Sequence, residues 1–298
     1  MLFLVLYDIF LSMKIMLFGA TGMLGSMLEK ILKKNNYEVI GYSSKTCDIC
    51  DEGLLDCVFS KHSNVDVVIN CAAYTRVDDA ELETDLAFLL NADVIKNIAK
   101  KVAKINALFI HFSTDYVFDG ALEGGAYVEE DKCSPISVYG KSKYLGEQYC
   151  AQLLTNYYIF RIQWLYGPNG NHFVSTMKRL FNQKKELRVI DDQIGTPTYT
   201  YSLSNYVAAV IKSRPKSGIY HCTDNGVTSW YEFCKEIASY ENYKGNILPI
   251  SSSEYKAPAK RPLNGRLDCT KLDRVLDIKR VHWKESLKMF YQNQIMEV

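Results

Sequence analysis

Blocks of one charge are missing from this sequence. Lysine and arginine number 35 against 34 acidic residues, a formal balance of +1, so neither a nucleic acid nor an anionic membrane is indicated as a partner. Long apolar runs are missing as well. The opening MLFLVLYDIFLS lacks a basic n-region and a small-residue cleavage site, carries Asp8, and is too short to span a bilayer. Joined to the next apolar run it is broken again at Lys14. Residues 1–12 therefore read as an N-terminal extension, an upstream start or a loose arm ahead of Met13, and the protein as cytoplasmic with no membrane partner. Paired metal-binding motifs are also lacking. The nine cysteines hold a single C-x-x-C, Cys47 to Cys50, and no second pair completes a tetrahedral zinc set, so no metal is assigned. Nor are there repeats or low-complexity tracts. What remains as partner is a small molecule or a second copy of the chain.

Against these absences stands an alternating pattern. The chain has 298 residues with 48% hydrophobic and 23% charged, enough for one large domain or two modest ones. The apolar run KIMLFG (14–19) passes through glycines into a segment where Met23, Leu24, Met27, Leu28, Ile31 and Leu32 recur at helical spacing. Further apolar runs follow at 37–43, 65–73, 107–114 and 157–167, with a long helical stretch at 81–105. Apolar strands alternating with helices predict a Rossmann-type α/β fold, a doubly wound parallel sheet covered on both faces. Past residue 167 turn formers and aromatics increase. The expected division is a dinucleotide-binding domain over 13–164, to which 200–222 returns, and a smaller mixed α/β lobe from 165–199 and 223–298. Helices are expected at about 173–184 and 203–212 and a strand at 218–222. The tail is expected to hold two helices around an irregular stretch at 249–268.

Three local patterns carry chemistry. Gly19, Gly22 and Gly25 form a G-x-x-G-x-x-G turn between the first strand and the first helix. Glycines there let backbone amides approach a pyrophosphate at the positive end of a helix. After the second strand comes Ser43-Ser44-Lys45 with no acid at the strand end. A carboxylate there would favour NAD, whereas hydroxyls and a cation suit the 2′-phosphate of NADPH; NADH is the alternative if Lys45 is a plain surface charge. Finally, Tyr139 and Lys143 lie four apart in SVYGKSKYLGE, on one face of a helix. By itself that pair is as compatible with a solvated face as with an acid and its tuning cation.

The pair has company, however. It is the Y-x-x-x-K pattern of the short-chain dehydrogenase/reductase superfamily, and HFSTDYVFDG (111–120) supplies a hydroxyl partner, Ser113 or Thr114. With NCAAYTRVDDAE (70–81), RIQWLYGPNGNHFVSTM (161–177), VIDDQIGTPTYT (189–200), TSWYEF (228–233) and RPLNGRLDCTKL (261–272), the chain resembles the dTDP-4-dehydrorhamnose reductase family from about Met13 onward. The resemblance implies NAD(P)H-dependent reduction of the 4-keto group of a nucleotide-linked deoxysugar, dTDP-4-dehydro-L-rhamnose going to dTDP-L-rhamnose. It implies Tyr139 as the acid, Lys143 as the cation that binds the nicotinamide ribose and lowers the tyrosine, and Thr114 rather than Ser113 as the third catalytic group. Gly19, Thr21, Gly22, Met23, Leu24, Gly25, Ser43, Asp48, Ile49, Ala72, Ala73 and Tyr74 would line the cofactor, together with Tyr139 and Lys143. Thr114, Asp115 and Trp164 would touch the sugar, and family members also pair as homodimers. Trp164 has a competing reading as plain core, and His111 reads as a satisfied core histidine. Asp191 and Asp192 either bind substrate or shape a turn, and Arg261 and Arg266 either clamp a diphosphate or decorate the surface. A reductase or epimerase of a different nucleotide sugar, or a non-catalytic dinucleotide-binding subunit, are the alternative functions. A 4,6-dehydratase is disfavoured, because Thr114 is followed by Asp115-Tyr116 and not by the Asp-Glu pair that water loss requires.

Overall fold

A computed structural model of the chain describes residues 13–296, and the extension expected at 1–12 lies outside them. In the first half β1 (Lys14–Phe18), α1 (Met23–Lys34), β2 (Glu38–Tyr42), α2 (Glu52–Lys61) and β3 (Val67–Asn70) alternate. A helical stretch follows, made of α3 (Thr84–Phe88), a π-helical turn (Leu89–Asp93) and α4 (Val94–Ile105), then β4 (Leu108–Thr114), α5 (Val138–Leu153) and β5 (Tyr157–Ile162). The second half contains β6 (Leu165–Tyr166), α6 (Phe173–Phe181), β7 (Glu186–Ile190), β8 (Ile194–Gly195), β9 (Thr198–Tyr199), α7 (Thr200–Ser213) and β10 (Gly218–His221). It ends with β11 (Thr228–Ser229), α8 (Trp230–Tyr240), β12 (Asn246–Ile250), α9 (Ser252–Tyr255), α10 (Thr270–Leu276) and α11 (Trp283–Met296).

Six strands form one parallel sheet in the order β2-β1-β3-β4-β5-β10. Because strand side chains alternate, each strand feeds two cores. Ile15, Leu17, Val67, Ile69 and Ile110 pack beneath α1 and α7, while Met16, Phe18, Val68 and Phe109 pack beneath α2, α4 and α5. Burial on both faces explains why these strands read as unbroken apolar runs: all seven β4 positions are buried. The order in which successive strands are added reverses between β1 and β3, so the crevice outside their carboxyl ends is the site that an open α/β sheet offers to a ligand.

The second half builds a separate aromatic core from Tyr166, Val174, Met177, Tyr199, Phe233, Trp283 and Phe290. Short strand pairs, β6 with β9, β7 with β12 and β8 with β11, frame it. The tail differs from the sequence expectation: it contributes two strands, β11 and β12, and three helices besides the short α9. Leu272 of α10 joins the sheet's core, not the aromatic one. The run at 157–167 is also interrupted. It stops at Ile162 because Trp164 takes a left-handed backbone, φ 46°. Among the described residues no helix is long and apolar enough to cross a membrane.

The seating of α5 positions the site. Its N-cap is Ser137, which accepts the Gly140 N–H at 3.1 Å. Arg161 of β5 grips Glu147 through Nε at 3.0 Å and Nη2 at 2.8 Å, both side chains fully buried. On another face Asn91, from the π-helical turn, donates to Ser142 Oγ at 3.0 Å. Here the helices approach so closely that a Cβ on Gly146 would stand 2.2 Å from the Asn91 carbonyl oxygen. Helix propensity alone makes Gly146→Ala stabilising by about 1 kcal/mol. The backbone contact reverses the sign, and urea unfolding of Gly146→Ala is expected to show a loss of about 1–3 kcal/mol. An unchanged or raised midpoint would show that this contact is not rigid.

Candidate active site

A cleft of about 820 Å³ opens at the carboxyl ends of β1, β3 and β4 and runs under the second lobe. Its floor begins with the glycine turn. Gly19 has φ +75°, and a Cβ there would lie 2.7 Å from the Ala72 nitrogen. A Cβ on Gly25 would meet the Gly19 carbonyl oxygen at 2.1 Å, so Gly25 seats the helix under the turn and does not itself line the cleft. Gly22 caps α1 without a side-chain hydrogen bond, and no acid stands in the first turn. The helix N-terminus, lined by Gly22, Met23 and Leu24, is therefore open to an anion.

Ser43, Ser44, Asp48 and Ile49 line the far end of the cleft, with Thr21, Ala72 and Ala73 along the way. Lys45 is exposed beside them. Tyr74 is placed elsewhere. Its side chain is buried against Ala80 and Ala87, its hydroxyl donates to Glu83 at 2.9 Å, and Arg76 lies over its ring. The following Thr75 and Val77 reach the cleft instead.

Tyr139 and Lys143 share the cleft-facing side of α5, with Ser113, Thr114 and Asp115 at the end of β4. Burial raises the Tyr139 hydroxyl, the Asp115 charge raises it further, and a hydrogen bond with Thr114 opposes both. Burial pulls the Lys143 ammonium down to about 8, against the opposing influence of Glu147. Lys143 donates to the Phe112 carbonyl at 2.6 Å. His111, its neighbour at 3.4 Å, is held neutral by burial and by the lysine charge. Of the two candidate hydroxyls, Thr114 bonds to Asp115 Oδ1 at 3.0 Å and reaches Tyr139, while Ser113 Oγ is buried with no protein partner.

Across the cleft Trp164 stacks on Trp230 with centroids 3.6 Å apart, and Phe173 closes on Trp230 at 4.5 Å. A left-handed backbone on a bulky residue is costly and marks a position fixed by its surroundings. Sequence reasoning missed Trp230, Phe173, Gln163 and Tyr116, which also line the cleft. The arginines turn out otherwise engaged. Arg261 forms a bidentate pair with Asp78 at 2.9 and 2.7 Å, and Arg266 donates to Asn264. Asp191 accepts from Ser229, and Asp192 from the Ser252 backbone N–H and hydroxyl at the start of α9. Among the described residues no group of three or more acids, histidines or cysteines converges on a metal position.

A doubly wound sheet, an open glycine turn and a Tyr-Lys face beside a hydroxyl define a nicotinamide-dinucleotide oxidoreductase of the short-chain type. Residues 13–296 match the family described as the RmlD substrate binding domain. The chain is 38% identical over 281 residues to the spore coat polysaccharide biosynthesis protein SpsK of Bacillus subtilis, covering 94% of this chain and 98% of that protein. It is 34% identical over 291 residues to the dTDP-4-dehydrorhamnose reductase of Escherichia coli, covering 93% and 96%. A crystal structure of dTDP-4-dehydrorhamnose reductase from Bacillus anthracis in complex with NADP superposes with a TM-score of 0.91 at 37% identity, covering 95% of this chain and 99% of that one. The chain belongs to the dTDP-4-dehydrorhamnose reductase family.

The open turn has a direct test. Gly22→Asp would supply the side-chain cap that α1 lacks, a change worth a few tenths of a kcal/mol over glycine, and would place a carboxylate where a pyrophosphate has to sit. NADPH affinity, followed by cofactor fluorescence, is expected to fall at least about tenfold with no loss of thermal stability. Unaltered affinity would show that the anion binds elsewhere.

Proposed function

We propose that this chain uses NADPH to reduce the 4-keto group of dTDP-4-dehydro-L-rhamnose, yielding dTDP-L-rhamnose. The observation that carries the reading is the convergence of Thr114, Tyr139 and Lys143 on one cleft that also contains an open helix N-terminus and an aromatic wall. The residues fit a dinucleotide on their own chemistry. Backbone N–H groups of Met23 and Leu24 would take the pyrophosphate, Ser43 and Ser44 with nearby Lys45 the 2′-phosphate, and Asp48 and Ile49 would flank the adenine. Ala72 and Ala73 are small enough to leave room along β3, and the unpaired Ser113 Oγ offers a hydrogen bond inside the cleft. Lys143 would hold the nicotinamide ribose hydroxyls. When bound, the nicotinamide supplies the hydride.

The chain's own part is to place the ketone and deliver a proton. Tyr139 stays protonated in its buried setting, so its Oη can give a proton to the sugar O4 as charge develops there. Thr114 Oγ1 stabilises the same oxygen by hydrogen bonding. Trp164, backed by Trp230, forms a flat apolar face against which a sugar ring can lie, with Asp115 at its edge.

The experiment follows nicotinamide absorbance while the ketosugar is generated enzymatically in the same cuvette. NADPH is expected to give kcat/KM at least about tenfold above NADH, since the strand end offers hydroxyls and a cation in place of an acid. Tyr139→Phe is expected to lose about 100-fold or more in kcat. A Tyr139→Phe variant turning over at the parent rate would refute the acid assignment, and bound cofactor without turnover of this sugar would refute the substrate.

A further inference from the structure

Gln163 follows the last residue of β5 and precedes the Trp164 turn, and its amide is fully engaged. One N–H of Nε2 goes to Asp115 Oδ2 at 2.8 Å and the other to the Gly265 carbonyl at 2.7 Å. Oε1 accepts the Thr196 N–H at 2.7 Å. Two glycines make room for it: a Cβ on Gly195 would fall 2.7 Å, and one on Gly265 2.3 Å, from Gln163 Nε2. The Gly265 carbonyl and the Thr196 N–H together fix which way the amide points, because the reversed amide would set oxygen against oxygen and N–H against N–H. Asp115 Oδ2 is thus committed as an acceptor. The proton of a neutral Asp115 goes to Oδ1, which faces Thr114 Oγ1 at 3.0 Å.

The Thr114 hydroxyl has one proton and two lone pairs. One lone pair takes the Tyr116 N–H at 3.2 Å. If Asp115 is ionised, the single proton is spent on Oδ1 and the remaining lone pair can only accept, competing with the ketone for the Tyr139 proton. If Asp115 is neutral, Oδ1–H fills that lone pair and the Thr114 proton is released toward the cleft. We propose that Gln163 and Asp115 are positioning residues that set the direction of the Thr114 hydroxyl: a neutral Asp115 donates to Thr114, and Thr114 then donates to the ketone oxygen. This rests on the ketone-reductase reading and deepens it.

The surroundings of Asp115 favour the neutral form. Burial raises it to about 7, with the hydrogen bonds from Gln163 and Thr114 opposing. The ionisable groups facing it are Tyr139 on α5 and Tyr116 beside it, both raised by their own burial and by the Asp115 charge. Arg261, paired to Asp78, acts on Tyr116, and Lys143 is turned to the Phe112 carbonyl. With the neutral acid as the working form, kcat is highest below pH 7 and falls as the pH rises through it.

The test pairs two readouts on the full chain: a 13C titration of the Asp115 carboxyl without ligands, and the pH profile of kcat for NADPH oxidation. In the parent protein both midpoints are expected near 7. Gln163→Leu removes a donor that favours the ionised form, so both midpoints move to higher pH. Asp115→Asn, whose amide donates toward Thr114 while its oxygen takes the Gln163 N–H, is expected to keep at least about one-tenth of the rate at low pH and to lose the fall across neutrality. Asp115→Leu, which can donate nothing, drops about 100-fold at every pH. An Asp115 carboxyl titrating at its ordinary value of about 4, or an Asp115→Asn profile with the parental fall, overturns the inference while the reductase reading stands. No turnover by the parent protein overturns the reductase reading and this inference with it.

Discussion

The close seating of α5 governs this molecule. A Cβ on Gly140 would stand 2.2 Å from the Tyr116 carbonyl oxygen, and one on Gly146 equally close to that of Asn91. Glycine in a helix interior is unfavourable, by about 0.5–1 kcal/mol each relative to alanine, so tertiary contact and not helix propensity keeps these residues tolerable. The buried Arg161–Glu147 pair locks the middle of the same helix to β5. Such a pair adds little net stability but is costly to break from one side, which fixes the helix in register. Register is what the chemistry needs, since it places Tyr139 above the end of β4 and aims Lys143 at the Phe112 carbonyl.

The two halves of the cleft divide the work. The sheet side offers backbone amides and small side chains suited to a dinucleotide; the second lobe offers a stacked indole pair suited to a sugar and its nucleotide. Gln163 and Trp164 stand at the junction. Gln163 ties Asp115, 48 residues before it, to segments 33 and 102 residues after it, and Trp164 stops β5 by adopting a left-handed backbone. That stop allows the chain to leave the sheet, build the lobe, and come back as α7 and β10, with β10 paired to β5.

The sheet was legible because strands buried on both faces leave unbroken apolar runs, and β1, β3 and β4 emerged with ends shifted by no more than three residues. The lobe was less so. β7 and β12 are partly exposed and pair across some sixty residues, so neither shows an apolar run nor a hairpin turn. At the site, residues within one motif could be named: the glycine turn, Thr114, Tyr139, Lys143 and Trp164 all meet the cleft or shape it. Those whose roles depend on partners far along the chain could not, which is why Trp230 and Gln163 were overlooked. Tyr74 shows the converse, since a residue inside a motif can face away when its hydroxyl has a carboxylate such as Glu83 at hand.

Hydride delivery to C4 can be observed directly. NADPH deuterated at the transferring position of the nicotinamide would be turned over with the 4-keto sugar in ordinary water, and the product sugar analysed by NMR and mass spectrometry. A single deuterium on C4, with the O4 proton drawn from solvent, is the expected result. Deuterium at another carbon, or a product with none, would contradict a site in which cofactor and Tyr139 meet across one carbonyl.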